Sequence, residues 1–254
     1  MEISIEILLL LFAVAMLAGF IDAIAGGGGL ITIPVLMSIG LSPALALGTN
    51  KLQACGGSFS ASLYFIRQRA VKLREVGILI AFTFIGAVIG TILIQNLNAS
   101  LLKNILPILI IIIGLYFLFS PQLGEVDRQQ RVSYLGFALT AGLGIGFYDG
   151  FFGPGTGSFF SLAFISLLGF NLTKATAHAK VLNFTSNFAS LLFFILGGHI
   201  VWSLGLIMML GQFIGANMGA KMVLSKGKKL IRPMVVLMSL IMASKMIYEQ
   251  GWFS

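Results

Sequence analysis

The sequence predicts an all-α polytopic membrane protein made of two inverted-topology repeats of about five membrane segments each. Its 254 residues are 58% hydrophobic and 9% charged, with a mean hydropathy of +1.02. A soluble domain keeps about 25% charged residues to cover its surface. A chain this poor in charge needs lipid as its main solvent. Its backbone groups must then be satisfied internally, as they are in membrane helices.

Ten apolar stretches follow one another, and eight of them reach the roughly 20 residues that span a hydrocarbon core. The second and seventh stretches are shorter, and each follows a glycine-rich run. The first carries Glu2 and Glu6 where a signal peptide has basic residues, so we expect it to be retained. The stretches cover 3–25, 30–41, 44–66, 76–95, 101–120, 132–152, 157–169, 173–197, 201–222 and 231–250.

The second half of the chain repeats the first. Gly-Phe-Ile-Asp at 19–22 is echoed by Gly-Phe-Tyr-Asp at 146–149, and the glycine run 26–29 is echoed by Gly-Pro-Gly-Thr-Gly at 153–157. We interpret this agreement as an internal duplication, which is common among transporters. The correspondence continues through Lys51 and Lys180, Gly86 and Gly215, and Gly90 and Gly219.

Basic residues predict the orientation. Most of the 16 Lys and Arg fall in three connections, at 67–74, 128–131 and 221–232. If both short segments cross, each half makes five passes and all three connections face the cytoplasm, as the positive-inside rule requires. This placement also accounts for the net charge of +8 without a nucleic-acid partner. We therefore predict a bacterial inner-membrane protein with both termini in the periplasm. Its parts are a first repeat at 1–120, a cytoplasmic connection at 121–131 and a second repeat at 132–254.

Four charges lie deep inside the segments: Asp22 and Lys51 in the first half, Asp149 and Lys180 in the second. Each costs about 2.5–3.5 kcal/mol to insert at the bilayer centre. We expect the lysines to line a substrate pathway. For the aspartates, a coupling role and a role as caps of broken helices both stay open. His178 is either a proton shuttle or a hydrogen-bonded structural residue.

The glycine runs cannot sustain a regular helix, so each is expected to leave a short segment that begins inside the membrane. The free amides and positive dipole end of a helix N-terminus favour an anion. We predict that the two breaks meet near mid-depth and form an anion site. Its candidate residues are Gly26, Gly27, Gly28, Gly29, Thr49, Asn50, Lys51, Gln53, Gly153, Pro154, Gly155, Thr156, Gly157, Lys180, Asn183 and Asn187.

Motifs at 19–34, 48–53, 146–158 and 174–183 resemble the TauE/SafE family, also called the sulfite exporter or toluene-sulfonate uptake permease family. The resemblance covers essentially the whole chain and is nearest to the branch of probable inner-membrane transporters. It implies transport of sulfur oxyanions or organosulfonates without an ATPase partner. His178 stands where the first half has Thr49, so a strictly symmetric site is not expected.

The function predicted is secondary transport of a small anion by alternating access around a midplane site. A passive anion channel is the nearer alternative. An intramembrane enzyme is the more remote one, because the sequence has no HExxH, GxSxG or Walker A motif and no Cys/His cluster with metal spacing. We expect no cofactor and no metal. The expected partners are the anion and the lipid bilayer, while the choice of anion, the direction, the coupling ion and the oligomeric state stay open.

Overall fold

The computed structural model describes residues 4–98, 101 and 126–226, and every regular element within these ranges is helical. Eight of the ten predicted stretches correspond to its eight helices. The other two, 101–120 and 231–250, lie outside the described residues apart from Leu101. The helices are α1 (Ile5–Ala25), α2 (Gly28–Ser38), α3 (Pro43–Arg67), α4 (Leu73–Gln95), α5 (Tyr134–Phe137, a π turn at Ala138–Gly142, and Leu143–Phe151), α6 (Thr156–Leu168), α7 (Leu172–Leu196) and α8 (Trp202–Lys226).

Within the described residues, four helices are long and apolar enough to cross a membrane: α1, α4, α7 and α8. Helices α2 and α6 are apolar but short, as the sequence predicts. Helix α3 has 25 residues, but its buried face carries polar side chains such as Asn50 and Gln53. Large apolar side chains such as Leu9, Leu210 and Phe213 are exposed on the outside of the bundle. The prediction of an all-α membrane protein is confirmed.

Four helices, α1 and α3 in the first half and α5 and α7 in the second, begin at polar caps. Ser4 caps α1 and Ser133 caps α5, while Ser42 caps α3 and Asn171 caps α7. In each case the side-chain oxygen accepts a hydrogen bond from a backbone N–H three residues later, a group that the helix itself leaves unpaired. The first and third helices of the two halves therefore begin at matching local signals.

Two helix pairs pack closely together: α1 with α8, and α4 with α5. Along the first pair Gly211 packs on Phe12, and further on Gly219 packs on Phe20. Along the second pair, contacts likewise advance from Thr83 with Gly146 to Ala87 with Gly150. The helices of each pair thus run in the same direction, at distances that only glycine permits. In both pairs, the first helix of one half packs on the fourth helix of the other half.

Different helix termini lie at the two ends of the bundle. One end packs the beginnings of α4, α5 and α7 against the ends of α3, α6 and α8, in a cluster that includes Phe65, Val76, Phe137, Leu168, Ala175 and Val223. The opposite end packs the beginnings of α1, α3 and α8 against the end of α2, in a cluster that includes Leu11, Leu36, Ala46 and Leu204. Equivalent helices of the two halves, such as α1 and α5, therefore begin at opposite ends.

Candidate functional site

Both glycine runs interrupt a helix. Helix α1 ends at Ala25, and Gly26 takes a left-handed conformation (φ +73°) before α2 begins at Gly28. In the second half, Gly153 (φ +101°) and Gly155 (φ +84°) separate α5 from α6. Residues with a Cβ rarely adopt these angles, so glycine allows each helix to be interrupted here.

The two interruptions touch each other. A Cβ on Gly26 would lie 2.8 Å from Gly157 Cα and closer still to Ser158 N. The Ser158 hydroxyl donates a hydrogen bond to the main-chain oxygen of Ala25. A Cβ on Gly29 would lie 3.5 Å from Pro154 Cα. The glycine-rich tracts of the two halves thus lie against each other, with no room for side chains where they cross.

Two ion pairs connect the halves crosswise at these interruptions. Lys51 Nζ on α3 lies 3.0 Å from Asp149 Oδ1 on α5, and Lys180 Nζ on α7 lies 2.8 Å from Asp22 Oδ2 on α1. Both lysine side chains are only 1% exposed. Each lysine of one half therefore neutralises the aspartate of the other half, as buried charges require.

Each aspartate also binds the start of the short helix that follows it. The Gly28 N–H donates to Asp22 Oδ1 over 3.1 Å. The Thr156 hydroxyl donates to Asp149 Oδ1 over 2.8 Å. Of the two roles that the sequence left open for the aspartates, the geometry supports the capping role directly for Asp22, whereas Asp149 accepts a side-chain hydroxyl and caps no backbone N–H.

The ammonium groups press against the second glycine run. A Cβ on Gly153 would lie 2.8 Å from Lys51 Nζ, and a Cβ on Gly157 would lie 2.9 Å from Lys180 Nζ. Any side chain at these two positions would displace an ammonium group from its carboxylate. The run therefore has a second use besides breaking the helix, because it admits two lysine head groups to the protein interior.

A buried amide cluster flanks the first interruption. Asn50 Oδ1 accepts hydrogen bonds from the Thr32 hydroxyl (2.6 Å) and from Gln53 Nε2 (3.0 Å), and Asn50 Nδ2 lies beside Gly29. Gln53 Oε1 is buried and has no hydrogen-bond partner among the described residues. Two of the predicted side chains, Asn50 and Gln53, are thus brought to the break between α1 and α2.

Asn183 and Asn187 follow Lys180 along one face of α7. Asn187 Nδ2 donates to Asn183 Oδ1 (3.0 Å) and to the main-chain oxygen of Asn183 (2.8 Å). Both side chains are buried. They continue the polar face of α7 away from the ion pair by one and two helical turns.

Two predicted residues lie apart from the ion pairs. Thr49 Oγ1 accepts a hydrogen bond from Val201 N (3.0 Å), just before α8 begins. The His178 ring packs between Phe164 and Phe170, and its Nδ1 lies 2.8 Å from the Lys174 main-chain oxygen. For His178 this geometry favours the structural role of the two that the sequence left open.

Three polar residues at the centre were missed by the sequence analysis: Thr32, Tyr148 and Ser158. Thr32 bonds Asn50, the Tyr148 hydroxyl donates to the Pro154 main-chain oxygen (2.5 Å), and Ser158 bonds Ala25. The sequence could have indicated them, since each of these polar residues lies inside or directly beside the repeated motifs. Among the described residues, no cluster of His, Cys, Asp and Glu could hold a metal ion.

Comparison with known proteins identifies the family. A family profile described as sulfite exporter TauE/SafE matches residues 11–246. A probable membrane transporter protein of Haemophilus influenzae is 61% identical over 253 residues, which are 100% of this chain and 99% of that protein. The probable membrane transporter protein YfcA of Escherichia coli K12 is 62% identical over 239 residues, 94% of this chain and 89% of the relative.

A more distant relative, the probable membrane transporter protein ORF9 of a Sinorhizobium species, is 46% identical over 248 residues, 98% of this chain and 95% of that protein. No solved structure matches. The profile and these relatives confirm the resemblance found in the motifs, and they exclude the intramembrane enzyme that the sequence had left as a remote alternative. The chain belongs to the sulfite exporter TauE/SafE family, and it is a membrane transporter, not an enzyme.

Proposed function

We propose that this protein is a secondary transporter of a small anion, a sulfur oxyanion or an organosulfonate, that works by alternating access around a site near the middle of the membrane. The observation that carries the proposal is the pair of buried lysines, each held by a carboxylate of the other half where two interrupted helices touch. A buried ammonium group needs an anionic partner. An anionic substrate can take the place of the carboxylate.

The proposed architecture is two inverted repeats of five segments, at 1–120 and 132–254, joined by the connection 121–131. Its support is that α1 and α5, like α3 and α7, begin at opposite ends of the bundle. An inverted duplication requires this arrangement. The fifth segment of each half, 101–120 and 231–250, rests on hydropathy alone.

The proposed orientation places both termini in the periplasm of a bacterial inner membrane. Arg67, Arg69, Lys72 and Arg74 connect α3 to α4 at the end of the bundle where α4, α5 and α7 begin. The backbone N–H of Arg131 donates to Leu167 O at the same end. Positive residues gather on the cytoplasmic side of membrane proteins, so this end is the proposed cytoplasmic face.

The proposed binding groups are hydrogen-bond donors, because a sulfonate or sulfate offers acceptors only. They are the ammonium groups of Lys51 and Lys180, the amides of Asn50, Gln53, Asn183 and Asn187, and the backbone of the two glycine runs at the beginnings of α2 and α6. The dipoles of these two helices add positive potential at their first turns. Thr49 is not needed for this site, since its hydroxyl is used at the start of α8.

Alternating access is supported by how the ion pairs connect the bundle. Helices α1, α3 and α8 run together in one direction, and α4 and α5 run together in the opposite direction with α7. Lys51 of α3 bonds Asp149 of α5, and Lys180 of α7 bonds Asp22 of α1, so both pairs link one group of helices to the other. Replacement of a carboxylate by substrate would loosen these links and allow the groups to rock.

The test is a thermal-shift screen of the purified protein against sulfite, sulfate, thiosulfate, 2-hydroxyethanesulfonate and toluenesulfonate at matched ionic strength. A ligand at 100 times its Kd stabilises the folded state by about 2.7 kcal/mol. We expect at least one of these anions to raise the unfolding temperature of the wild type. We expect Lys51→Ala and Lys180→Ala to lose that shift.

The matched control is Lys221→Ala, because Lys221 is exposed on α8 and should keep the full shift. A screen with no stabilising anion, or lysine variants that respond like the wild type, would refute the proposed site. Unitary currents in planar bilayers would instead favour the channel alternative, since a carrier gives none.

A further inference from the structure

We propose that Asp149 binds a co-transported proton, so that one proton crosses the membrane with each anion. This inference rests on the proposed function and specifies its coupling ion. It starts from the oxygens of the Asp149 carboxylate. Oδ1 is bonded by Lys51 and by Thr156, whereas Oδ2 is buried and has no hydrogen-bond partner among the described residues.

A buried carboxylate oxygen without a donor is costly, and a proton is the smallest ligand that satisfies it. The proton comes from bulk water on one side of the membrane, forms an O–H bond at Oδ2 and returns to water on the other side. While bound, it turns Oδ2 from an acceptor into a donor. A sulfonate, which has acceptors only, is then attracted by this oxygen instead of being repelled.

Charge balance points the same way. Lys51 and Asp149 together are neutral, with side chains only 1% and 2% exposed. Entry of a monovalent anion alone would leave a net negative charge in the protein interior, which costs several kcal/mol. Entry of the anion together with a proton on Asp149 keeps the site neutral. The same balance holds when both leave.

The groups that bond Asp149 Oδ1 would each keep a hydrogen-bond acceptor after protonation. Lys51 Nζ also donates to the main-chain oxygen of Asp149, and the Thr156 hydroxyl also donates to the Gly153 main-chain oxygen at 2.6 Å. Neither donor is left without an acceptor when the carboxylate loses its charge. Both donors therefore stay hydrogen-bonded when Asp149 is protonated and the anion takes the place of its carboxylate.

Asp22 differs from Asp149 in each of these respects. Both of its oxygens are bonded, Oδ1 by the Gly28 N–H and Oδ2 by Lys180. Lys180 has no second hydrogen-bond acceptor in the described part of the chain. The Asp22 side chain is also 16% exposed, so its charge is less costly. Asp22 is therefore the matched control for Asp149.

The other titratable groups around Asp149 are less suited to bind the proton. Helix α3 contributes Lys51 and Cys55, and α5 contributes Tyr148, whose hydroxyl donates to Pro154. Helix α7 contributes Lys180, which Asp22 already holds, and α6 contributes the Thr156 hydroxyl. The charged residues of α4 are Arg74 and Glu75, exposed in its first turn.

The experiment uses the full-length protein in liposomes that contain a fluorescent pH dye, with the membrane potential clamped at zero. Toluenesulfonate and 2-hydroxyethanesulfonate are the probes, because both stay anionic throughout the working pH range. We expect inward flux of the anion to acidify the lumen by one proton per anion. A gradient of one pH unit, acid outside, should drive about tenfold accumulation, since one unit corresponds to about 1.4 kcal/mol.

Asp149→Asn fixes the site in its neutral form. We expect this variant to lose pH-driven accumulation. Exchange of external labelled for internal unlabelled anion should fall by a smaller factor than accumulation does, since exchange needs no release of the proton. Asp22→Asn should lower accumulation and exchange in the same proportion.

The outcomes separate the two proposals. Anion entry without a change of luminal pH would overturn the proton site and leave the proposed function intact. Failure of both sulfonates to enter would overturn the proposed function and this inference with it. If Asp149→Asn still accumulates anion, loses exchange while remaining folded, or behaves like Asp22→Asn, Asp149 is not the coupling site. The wild-type pH measurement decides the question even if the variant fails to fold.

Discussion

The two ion pairs occupy equivalent positions in the two halves, yet they are built differently. At the first break a backbone N–H, from Gly28, satisfies the aspartate. At the second break a hydroxyl, from Thr156, does so, and that hydroxyl also reaches a main-chain oxygen. Thr156 corresponds to Gly29 in the repeat. With threonine in place of glycine, the second carboxylate has a donor that also bonds another acceptor.

This difference shows that two ion pairs at equivalent positions can have different chemical roles. The packing of the two halves needs both breaks, both lysines and both aspartates, because each half neutralises the buried charge of the other. Coupling needs only one carboxylate that can change its charge without loss of structure. We infer that the pair formed by Asp22 and Lys180 mainly stabilises the contact between the two halves. The pair formed by Lys51 and Asp149 also takes part in proton coupling.

The largest expected effect comes from removing one member of a pair. Lys51→Met leaves Asp149 buried without its counter-ion and should lower the free energy of unfolding by about 3–5 kcal/mol. Lys180→Met should cost less, because Asp22 is partly exposed and keeps its bond from Gly28 N–H. The measurement is denaturant unfolding in mixed micelles at pH 8.

The double variant Lys51→Met/Asp149→Asn is the control for that loss. It removes both charges and keeps an acceptor for Thr156, so it should recover most of the stability while lacking anion binding. A cost for Lys180→Met equal to or above that for Lys51→Met would contradict the inferred difference between the pairs.

A smaller effect is expected at the two glycine-lined interfaces, which by symmetry should respond alike. A Cβ on Gly86 would lie 2.8 Å from Phe147 N on α5, and a Cβ on Gly215 would lie 2.9 Å from Phe20 N on α1. Backbone atoms cannot move aside as a flexible side chain can. Gly86→Ala and Gly215→Ala should therefore each cost about 1–3 kcal/mol of unfolding free energy, measured by the same denaturant titration.

Gly77→Ala is the control for the glycine variants, because Gly77 lies on α4 with open space where a Cβ would be. That change should stabilise the protein by up to about 1 kcal/mol through helix propensity. If only one of the two interfaces were sensitive, the parallel roles assigned to the α1–α8 and α4–α5 pairs would be wrong.

The helices and their interruptions could be predicted from the sequence because their causes are local. Apolar runs, glycine runs and deep charges can all be read without knowledge of the fold. The partner of each lysine could not be predicted in this way. Asp22 and Lys51 lie in the same half, but the packing of α3 near α5 and of α7 near α1 pairs each lysine with the other half.

Helical geometry explains which of the predicted side chains lie apart from the ion pairs. Thr49 and His178 each precede a lysine by two residues, which is about 200° around a helix and so points to the opposite face. Asn183 and Asn187 follow Lys180 by three and seven residues, and they share its face. The helical period therefore predicts which side chains lie near each lysine better than closeness in sequence does.

The smallest expected effect concerns the hydrogen bond that ties the two breaks together. The Ser158 hydroxyl on α6 donates to the Ala25 main-chain oxygen at the end of α1. The corresponding residue of the first half is Ile31, so this tie has no counterpart there. Ser158→Ala should lower the free energy of unfolding by about 0.5–1.5 kcal/mol in the same titration.

Ser161→Ala is the matched control, because the Ser161 hydroxyl donates within its own helix, to Gly157 O. Such a bond to the preceding turn adds little to helix stability, so the control should change the unfolding free energy only slightly. If both variants cost the same, the tie from Ser158 contributes no more than a bond within one helix. The two breaks would then be held together by glycine packing and the crossed ion pairs alone.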